Sequence, residues 1–188
     1  MRREDAIATL AAARNGALSV ATMQTVLAWH EAGQAAQDHV DNMGCMGTAS
    51  ALGLGLALAR PDRKVMVLDG DGSLLMQLGS LVTIGGAAPP NYYHFVFDNG
   101  VYETTGNQPL PARVDFCGLA RSAGYRQAHS FADAGALAAA LPAILASQGP
   151  VLIHLSIERE EGPIRWPRVK MADQVQALKE RLAAAPPR

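Results

Sequence analysis

Lys64-Val65-Met66-Val67-Leu68-Asp69-Gly70-Asp71-Gly72-Ser73 is the segment of the chain that indicates its fold most clearly. It begins as a compact apolar run and stops at an acidic, glycine-rich turn. Strands that are apolar on both faces are typical of a sheet covered by helices on each side. A helix that starts at Ser73 would offer free N–H groups, which favour anions. The stretch therefore predicts a buried strand that ends at an anion-binding turn.

Similar apolar runs recur along the chain and alternate with longer helical patterns. Strands are predicted over 18–21, 64–68, 94–97 and 151–155, and helices over 3–13, 23–32, 48–59, 73–85, 131–147 and 172–184. This alternation predicts an α/β fold, a three-layer α/β/α arrangement around a parallel sheet. The proline-rich stretch 163–167 is interpreted as a linker that sends the last helix away from the sheet, and 186–188 is expected to fray.

Composition and charge exclude several classes of protein. The 188 residues fit a single domain, 1–188, and 49% of them are hydrophobic, as in a globular protein. The net charge of −1 argues against nucleic-acid and membrane-surface partners. No apolar run reaches the ~20 residues of a membrane span, and the charged start Met1–Asp5 does not look like a signal peptide. Since Cys45 and Cys117 form no disulfide framework, we expect a reducing cytoplasm.

Two polar turns follow two strands that are expected to be neighbours. The first is Gly70–Ser73 and the second is Asp98–Tyr102. In an open parallel sheet, ligands bind beyond the carboxyl ends of the strands, where both turns lie. The Asp71 carboxylate, the Asn99 amide oxygen and a nearby backbone carbonyl would suit Mg²⁺, which prefers oxygen ligands and commonly bridges to a diphosphate.

These turns resemble the metal and diphosphate motif of the thiamine-diphosphate enzymes. That motif is a Gly-Asp-Gly turn followed at a set spacing by asparagine, and residues 73–98 separate the turn from Asn99 at the expected spacing. The resemblance implies a diphosphate-binding (PP-type) domain with thiamine diphosphate and Mg²⁺ as cofactors. It implies that Asp71, Asn99 and the Val101 carbonyl are the metal ligands. The implied cofactor-binding residues of the two turns are Gly70, Asp71, Gly72, Ser73, Asn99, Val101 and Tyr102.

An upstream segment, Gly44-Cys45-Met46-Gly47, resembles the part of the family that meets the aminopyrimidine ring of the cofactor. The resemblance implies that the Gly44 carbonyl accepts a hydrogen bond from the amino group of that ring. It also implies that Met46 is a bulky wedge that bends the cofactor and brings the amino group beside the reactive carbon.

The resemblance implies half of an enzyme. The family needs a second, pyrimidine-binding domain, whose glutamate activates the cofactor ring. Neither Glu31 nor Glu103 lies where the family keeps that residue, so the catalytic glutamate is expected on a partner subunit in a hetero-oligomer.

Within the family, three segments resemble sulfopyruvate decarboxylase beta subunits and the related phosphonopyruvate decarboxylases. These segments are 42–50, 53–59 and 98–109, where Asp98 replaces a second asparagine of many relatives. The implied reaction is decarboxylation of a small 2-oxo acid, sulfopyruvate to sulfoacetaldehyde and CO₂. The alternatives are phosphonopyruvate decarboxylation, another carboligase or decarboxylase of the same split plan, and a non-catalytic cofactor-binding module.

Other polar residues leave two readings open. The loop after Tyr102 could touch substrate or merely cap the site, and its residues are Glu103, Thr104, Thr105 and Gln108. A sulfonate or phosphonate calls for cationic side chains, supplied by the partner or by Arg113, Arg165, Arg168 or Lys170.

Histidines and glycines elsewhere are interpreted mainly as structural. The five histidines (His30, His39, His94, His129 and His154) show no metal-ligand spacing, although His39 could approach the active site. Gly53-x-Gly55 lacks the third glycine of a dinucleotide-binding motif and indicates close helix packing.

Overall fold

The computed structural model describes residues 1–36, 38–160 and 165–184. Within these residues the strands are β1 (Leu18–Thr22), β2 (His39–Asn42), β3 (Val65–Gly70), β4 (Tyr92–Asp98), β5 (Val101–Tyr102), β6 (Gln108–Pro109), β7 (Gln127–Phe131) and β8 (Val151–Ser156). The helices are α1 (Arg3–Ala13), α2 (Gln24–Glu31), α3 (Ala49–Ala59), α4 (Asp71–Leu75), α5 (Gly79–Ala87), α6 (Phe116–Ser122), α7 (Ala134–Ala146) and α8 (Met171–Ala184).

Six strands form a parallel sheet in the order β2-β1-β3-β4-β8-β7. Helices α1, α2 and α7 pack in one apolar core, whereas α3, α5, α6 and α8 pack in the other. The predicted three-layer α/β/α fold is confirmed. The short strands β5 and β6 pair separately as an antiparallel ribbon.

The alternation of side chains along β3 shows how the central strands serve both cores. Met66 and Leu68 lie in the core that contains α1, and Val65 and Val67 lie in the opposite core. All four side chains are fully buried. A strand needs apolar residues at every position when both of its faces are covered, which is why this run is continuous rather than alternating.

The strand order reverses direction beside β1, because the chain goes from β1 to β2 on one side and then to β3 on the other. Ligands of open α/β sheets bind at such a switch, in the crevice beyond the carboxyl ends of the strands. Both polar turns predicted to bind ligand follow strands on the β3 side of this switch.

The single helix predicted over 73–85 is wrong, because the structure has two helices, α4 and α5. The chain between them forms turns with hydrogen bonds between residues three apart. The N–H of Gln77 donates to the carbonyl of Leu74, and the N–H of Ser80 donates to the carbonyl of Gln77, both at 3.0 Å. The turn packs against Gly47, where an added Cβ would lie 3.1 Å from the Cβ of Gln77. A straight helix would not bring this turn against the preceding loop.

The helix predicted over 131–147 begins too early, since Phe131 ends strand β7 and α7 starts at Ala134. Asp133 caps α7 by accepting a hydrogen bond from the N–H of Ala136 at 2.8 Å. Strands β2 and β7 and helix α6 were not predicted, because both strands carry polar side chains that hide the apolar pattern.

The last helix lies on the sheet, so the expectation that it is sent away is wrong. Leu178 of α8 is buried in the core beside α3, and the Gln174 side chain bonds to Asp41 of β2. Part of the expected linker, 163–164, and the expected frayed end, 186–188, lie outside the described residues.

The glycines of α3 support the packing interpretation at one position. A Cβ on Gly53 would lie 2.2 Å from Cγ2 of Val67, so only glycine lets α3 approach β3 this closely. Gly55 faces open space. None of the described helices is both long enough and apolar enough to cross a membrane.

Candidate functional site

A cleft lies beyond the carboxyl ends of β1, β3 and β4. Its empty volume is about 420 Å³ when space open to solvent is included. The lining contains most of the residues predicted from the two turns and the upstream segment, namely Met46, Gly70, Asp71, Gly72, Asn99, Val101 and Tyr102. Gly44 and Ser73 are not among the lining residues.

Asp71 joins the two turns. Its Oδ1 accepts a hydrogen bond from the N–H of Gly72 at 2.6 Å. Its Oδ2 accepts from the N–H of Gly100 at 2.8 Å and from that of Asn99 at 3.1 Å. The carboxylate is therefore held rigidly where β3 and β4 end, with 4% of the residue exposed.

The electrostatics of Asp71 are unfavourable without a cation. Burial, and then the adjacent carboxyl group of Asp98, raise the pKa of Asp71 to about 7. Burial acts in the same direction on Asp98, but a hydrogen bond from Nε2 of His154 at 2.8 Å outweighs it and the pKa of Asp98 is lowered. His154 thus keeps Asp98 ionised beside Asp71, and a divalent cation would offset this concentration of negative charge.

Asn99 is oriented by hydrogen bonds at both ends of its amide. Its Oδ1 accepts from the N–H of Val101 at 3.1 Å and keeps a second lone pair. Its Nδ2 donates to Oε2 of Glu103 at 2.9 Å. Because one end donates and the other accepts, the amide oxygen has a defined direction.

Arg3 supports this arrangement from the start of α1. Its guanidinium, with 4% of the side chain exposed, lies 2.6 Å from Oε2 of Glu103 and 2.7 Å from Oε2 of Glu160. It also lines the cleft. Sequence reasoning missed Arg3, since nothing in the local pattern of α1 distinguishes it from the neighbouring Arg2.

Gly72 and Tyr102 contact each other in the lining of the cleft. An added Cβ on Gly72 would lie 2.6 Å from Cδ1 of the Tyr102 ring. The ring packs directly on the backbone of the first turn, and any side chain at position 72 would displace it.

The segment 44–47 lies beside the cleft. Met46 is half-buried and lines it, with the Thr104 hydroxyl 3.7 Å from its sulfur. Gly44 is exposed and has a φ of +73°, a conformation that favours glycine. Ser73 is buried, and its hydroxyl accepts a hydrogen bond from the N–H of Gly47 at 3.0 Å, so its side chain holds this segment.

The loop that connects β1 to α2 forms a further wall that sequence reasoning missed. The lining includes residues 22–25. Met23 has a φ of +52°, which is strained for a residue with a side chain and is common at ligand sites. The buried Nε2 of Gln24 has no hydrogen-bond partner among the described residues, so a donor is left for a ligand. The signal for this wall was present, because β1 ends at the same edge of the sheet as β3 and β4.

The other candidate residues are dispersed. Glu103 and Thr104 line the cleft, whereas the hydroxyl of Thr105 and Oε1 of Gln108 bond to each other at 2.9 Å. Arg113 lines a neighbouring pocket that also contains Asn99. The remaining cationic candidates are exposed residues just before α8, away from the lining of the cleft; these are Arg165, Arg168 and Lys170.

His94 and His154 contact neighbouring side chains through both ring nitrogens. His94 lies in β4, with Nε2 3.2 Å from the carboxylate of Asp69 and Nδ1 3.2 Å from the hydroxyl of Tyr125. His154 bridges Asp98 and Ser130. His39 lies on β2 and is not among the lining residues of the cleft.

A family model for thiamine pyrophosphate enzymes, C-terminal TPP-binding domain, matches residues 15–155. The chain belongs to this family. Among the relatives of this TPP-binding domain is a phosphonopyruvate decarboxylase of Streptomyces viridochromogenes, 48% identical over 120 residues, which are 63% of this chain and 30% of that protein. A sulfopyruvate decarboxylase subunit beta of Methanothermobacter thermautotrophicus is 44% identical over 64% of this chain and 62% of the subunit.

A solved structure shows the same fold. It is a thiamine diphosphate-dependent 4-hydroxybenzoylformate decarboxylase of Rhodococcus jostii RHA1, with a TM-score of 0.70 and 22% sequence identity. The match covers 86% of this TPP-binding domain and 33% of that chain. The domain thus corresponds to about one third of a longer relative.

Thiamine diphosphate and Mg²⁺ fit the residues of the cleft. The carboxylate and amide oxygens of Asp71 and Asn99 are ligands that Mg²⁺ prefers. The unpartnered Nε2 of Gln24 suits an anionic oxygen. At Gly70, which also lines the cleft, an added Cβ would lie no closer than 4.0 Å to another atom, so the backbone there is open to a ligand.

Proposed function

We propose that residues 1–188 form the diphosphate-binding subunit of a split, thiamine-diphosphate-dependent 2-oxo acid decarboxylase. The observation that carries the proposal is the meeting of the two turns on Asp71, whose oxygens lie 2.6 Å from the N–H of Gly72 and 2.8 Å from that of Gly100. Membership of the TPP-binding family and the names of the relatives support it.

In this proposal Mg²⁺ is held by the side chains of Asp71 and Asn99 and by the carbonyl of Val101. The Gln24 side chain and the turn residues Gly70, Gly72, Ser73 and Tyr102 accommodate the diphosphate. Gly44 and Met46 face the aminopyrimidine ring, where Met46 acts as the wedge.

When bound, thiamine diphosphate supplies the electron sink that decarboxylation requires. This chain contributes placement and exclusion of water. Phe97, Val101 and Ile157 provide an apolar wall of the cleft, and the hydrogen bonds on Asp71 and Asn99 keep the ligand oxygens in place. The activating glutamate is supplied by a pyrimidine-binding partner subunit, in a hetero-oligomer that we expect in the cytoplasm.

The preferred substrate in this proposal is sulfopyruvate, which would give sulfoacetaldehyde and CO₂. Phosphonopyruvate is the second candidate, because the relative that is 48% identical is named for it. Rates of CO₂ release from sulfopyruvate, phosphonopyruvate and pyruvate by the reconstituted complex separate the two candidates. A complex that binds cofactor and releases no CO₂ from any 2-oxo acid would indicate a non-catalytic module.

The ligand assignment is tested by Asp71→Ala. We expect the variant to lose Mg²⁺-dependent binding of thiamine diphosphate, measured by calorimetry on the reconstituted complex, because the carboxylate is both a proposed ligand and the link between the turns. Asp5→Ala is the matched control, since Asp5 is an exposed aspartate of α1. Equal cofactor affinity in wild type and Asp71→Ala would overturn the assignment.

A further inference from the structure

A second group of metal-ligating side chains lies at the β2 edge of the sheet, outside the cofactor cleft. It consists of His30 on α2 and of His39 and Asp41 on β2, and one ligand atom from each lies within 4.8 Å of the others. His39 and Asp41 are two residues apart on a strand and therefore share a face. Nε2 of His39 lies 2.8 Å from Oδ1 of Asp41, and Nε2 of His30 lies 2.8 Å from Oδ2.

The Nδ1 atom of His39 has the hydrogen-bond environment found in many metal sites. It lies 3.1 Å from the carbonyl oxygen of Ser19 and 2.8 Å from the hydroxyl of the same residue. A metal-bound histidine usually donates its other N–H to such an oxygen. With that proton on Nδ1, Nε2 presents a lone pair towards Asp41 and is available to a metal ion. With the proton on Nε2 instead, His39 donates to Asp41 and accepts from the Ser19 hydroxyl.

The Asp41 carboxylate is a buried negative charge. His39 has 1% of its surface exposed, and the Asp41 side chain has 2%. A divalent metal ion bound to two neutral imidazoles and one carboxylate would supply the positive charge without protonating either ring. The partly exposed side of the group, where 18% of the His30 side chain is accessible, provides the entry.

Helix α8 supports the carboxylate from outside. Nε2 of Gln174 donates to Oδ2 of Asp41 at 2.9 Å, and its Oε1 accepts from the N–H of Asp41 at 3.0 Å. Outer contacts of this kind orient a ligating carboxylate and tune its affinity for the metal.

We propose that His30, His39 and Asp41 form a site for Zn²⁺ or a similar first-row transition-metal ion. Two imidazoles and one carboxylate favour such an ion over Mg²⁺, which prefers oxygen ligands. Tetrahedral Zn²⁺ separates its ligand atoms by about 3.3 Å. Each imidazole Nε2 now lies 2.8 Å from a carboxylate oxygen of Asp41, so these pairs would move apart by about half an ångström on binding. The ion would join α2 to β2 just before the strand enters the segment 44–47.

The test uses the full chain after removal of metals with a chelator. We expect calorimetry to show one Zn²⁺ per chain, and X-ray absorption at the zinc edge to show two imidazole nitrogens in wild type. His30→Gln and Asp41→Asn should each weaken Zn²⁺ binding by at least about 100-fold. His129→Gln is the matched control, because His129 is a half-buried histidine at the opposite edge of the sheet.

The zinc site and the cofactor cleft can be tested independently of each other. Asp71→Ala should leave Zn²⁺ binding unchanged, since Asp71 belongs to the cleft. Zinc affinity that is equal in wild type and His30→Gln, or a wild-type absorption spectrum without imidazole ligands, would overturn the proposal. Either result would mean that Asp41 and the two histidines are joined by hydrogen bonds alone.

Discussion

At the residue scale, the cleft depends on charged side chains that folding removes from water. Asp71 and Arg3 each have 4% of their surface exposed. Asp71 is surrounded by backbone N–H groups and lies beside another carboxyl group, whereas Arg3 is paired with two carboxylates. The fold has placed an excess of negative charge where a cation is proposed to bind.

The raised pKa of Asp71 predicts the pH dependence of metal binding. A protonated Asp71 cannot bind Mg²⁺, so a proton and the metal compete for it. Because its pKa is raised to about 7, Mg²⁺ affinity should rise about tenfold per pH unit below that value and level off above it. Calorimetry between pH 5.5 and 8.5 measures this, and buffers of different ionisation enthalpy count the released proton. An affinity that does not change over this range would contradict the prediction.

Arg3 and Arg2 allow the stability contributions of a buried and an exposed arginine to be compared. Arg3→Met leaves Glu103 and Glu160 without their buried partner and should lower the free energy of unfolding by about 3 kcal/mol at pH 7. Arg2→Met should change it by less than about 0.5 kcal/mol, because the pair of Arg2 with Glu4 is exposed. Urea unfolding followed by circular dichroism measures the free energy of unfolding of both variants. Equal losses would mean that the ion pairs of Arg3 stabilise the fold no more than the exposed pair of Arg2.

At the element scale, polar strands can be buried when neighbouring elements supply partners. Strand β2 is His-Val-Asp-Asn and is buried at all four positions. Its polar atoms bond to Ser19, His30, Thr48 and Gln174. Helix α8 is thus held on the sheet by β2 rather than separated from it.

Helix α3 offers a test of its packing on β3. Gly53→Ala should destabilise the fold by about 1–3 kcal/mol, since its Cβ would overlap Val67. Gly55→Ala should stabilise it by up to about 1 kcal/mol, because the position is open and alanine favours helix. Thermal unfolding of the two variants gives the comparison. A Gly53→Ala variant as stable as wild type would show that α3 can move away from the sheet.

At the scale of the whole molecule, several exposed apolar side chains support the proposed partner. Leu58 is 58% exposed on α3, Met76 is 50% exposed in the turn before α5, and Val82 is 65% exposed on α5. Between Asp71 and Asp98 the sequence has no lysine, arginine, aspartate or glutamate. Apolar exposed surface of this kind is typical of protein interfaces.

Native mass spectrometry of the complex purified through this chain tests the partner. We expect a second subunit together with the added mass of thiamine diphosphate and Mg²⁺, because the activating glutamate is proposed to lie on a partner. The split-enzyme proposal would be contradicted if the chain were isolated alone, without cofactor, from cells that contain thiamine diphosphate and Mg²⁺. Removal of Mg²⁺ with a chelator should release the cofactor and leave the fold intact.

Local sequence patterns were sufficient to predict the α/β/α class, the strand that ends at Asp69-Gly70, and the two polar turns after β3 and β4. These features are local, since continuous apolar runs and glycine-rich polar turns carry their structure in a few adjacent residues. The sequence also identified Asn99 and Met46, both of which line the cleft.

The distant residues that join these turns are brought together by tertiary packing. Arg3 reaches Glu103 across 100 positions, and Gln174 reaches Asp41 across 133. The ring of His30 on α2 meets that of His39 on β2. The split between α4 and α5 likewise depends on the contact with Gly47. Such contacts arise from the packing of elements far apart in the chain, and therefore no local pattern of side chains predicts them.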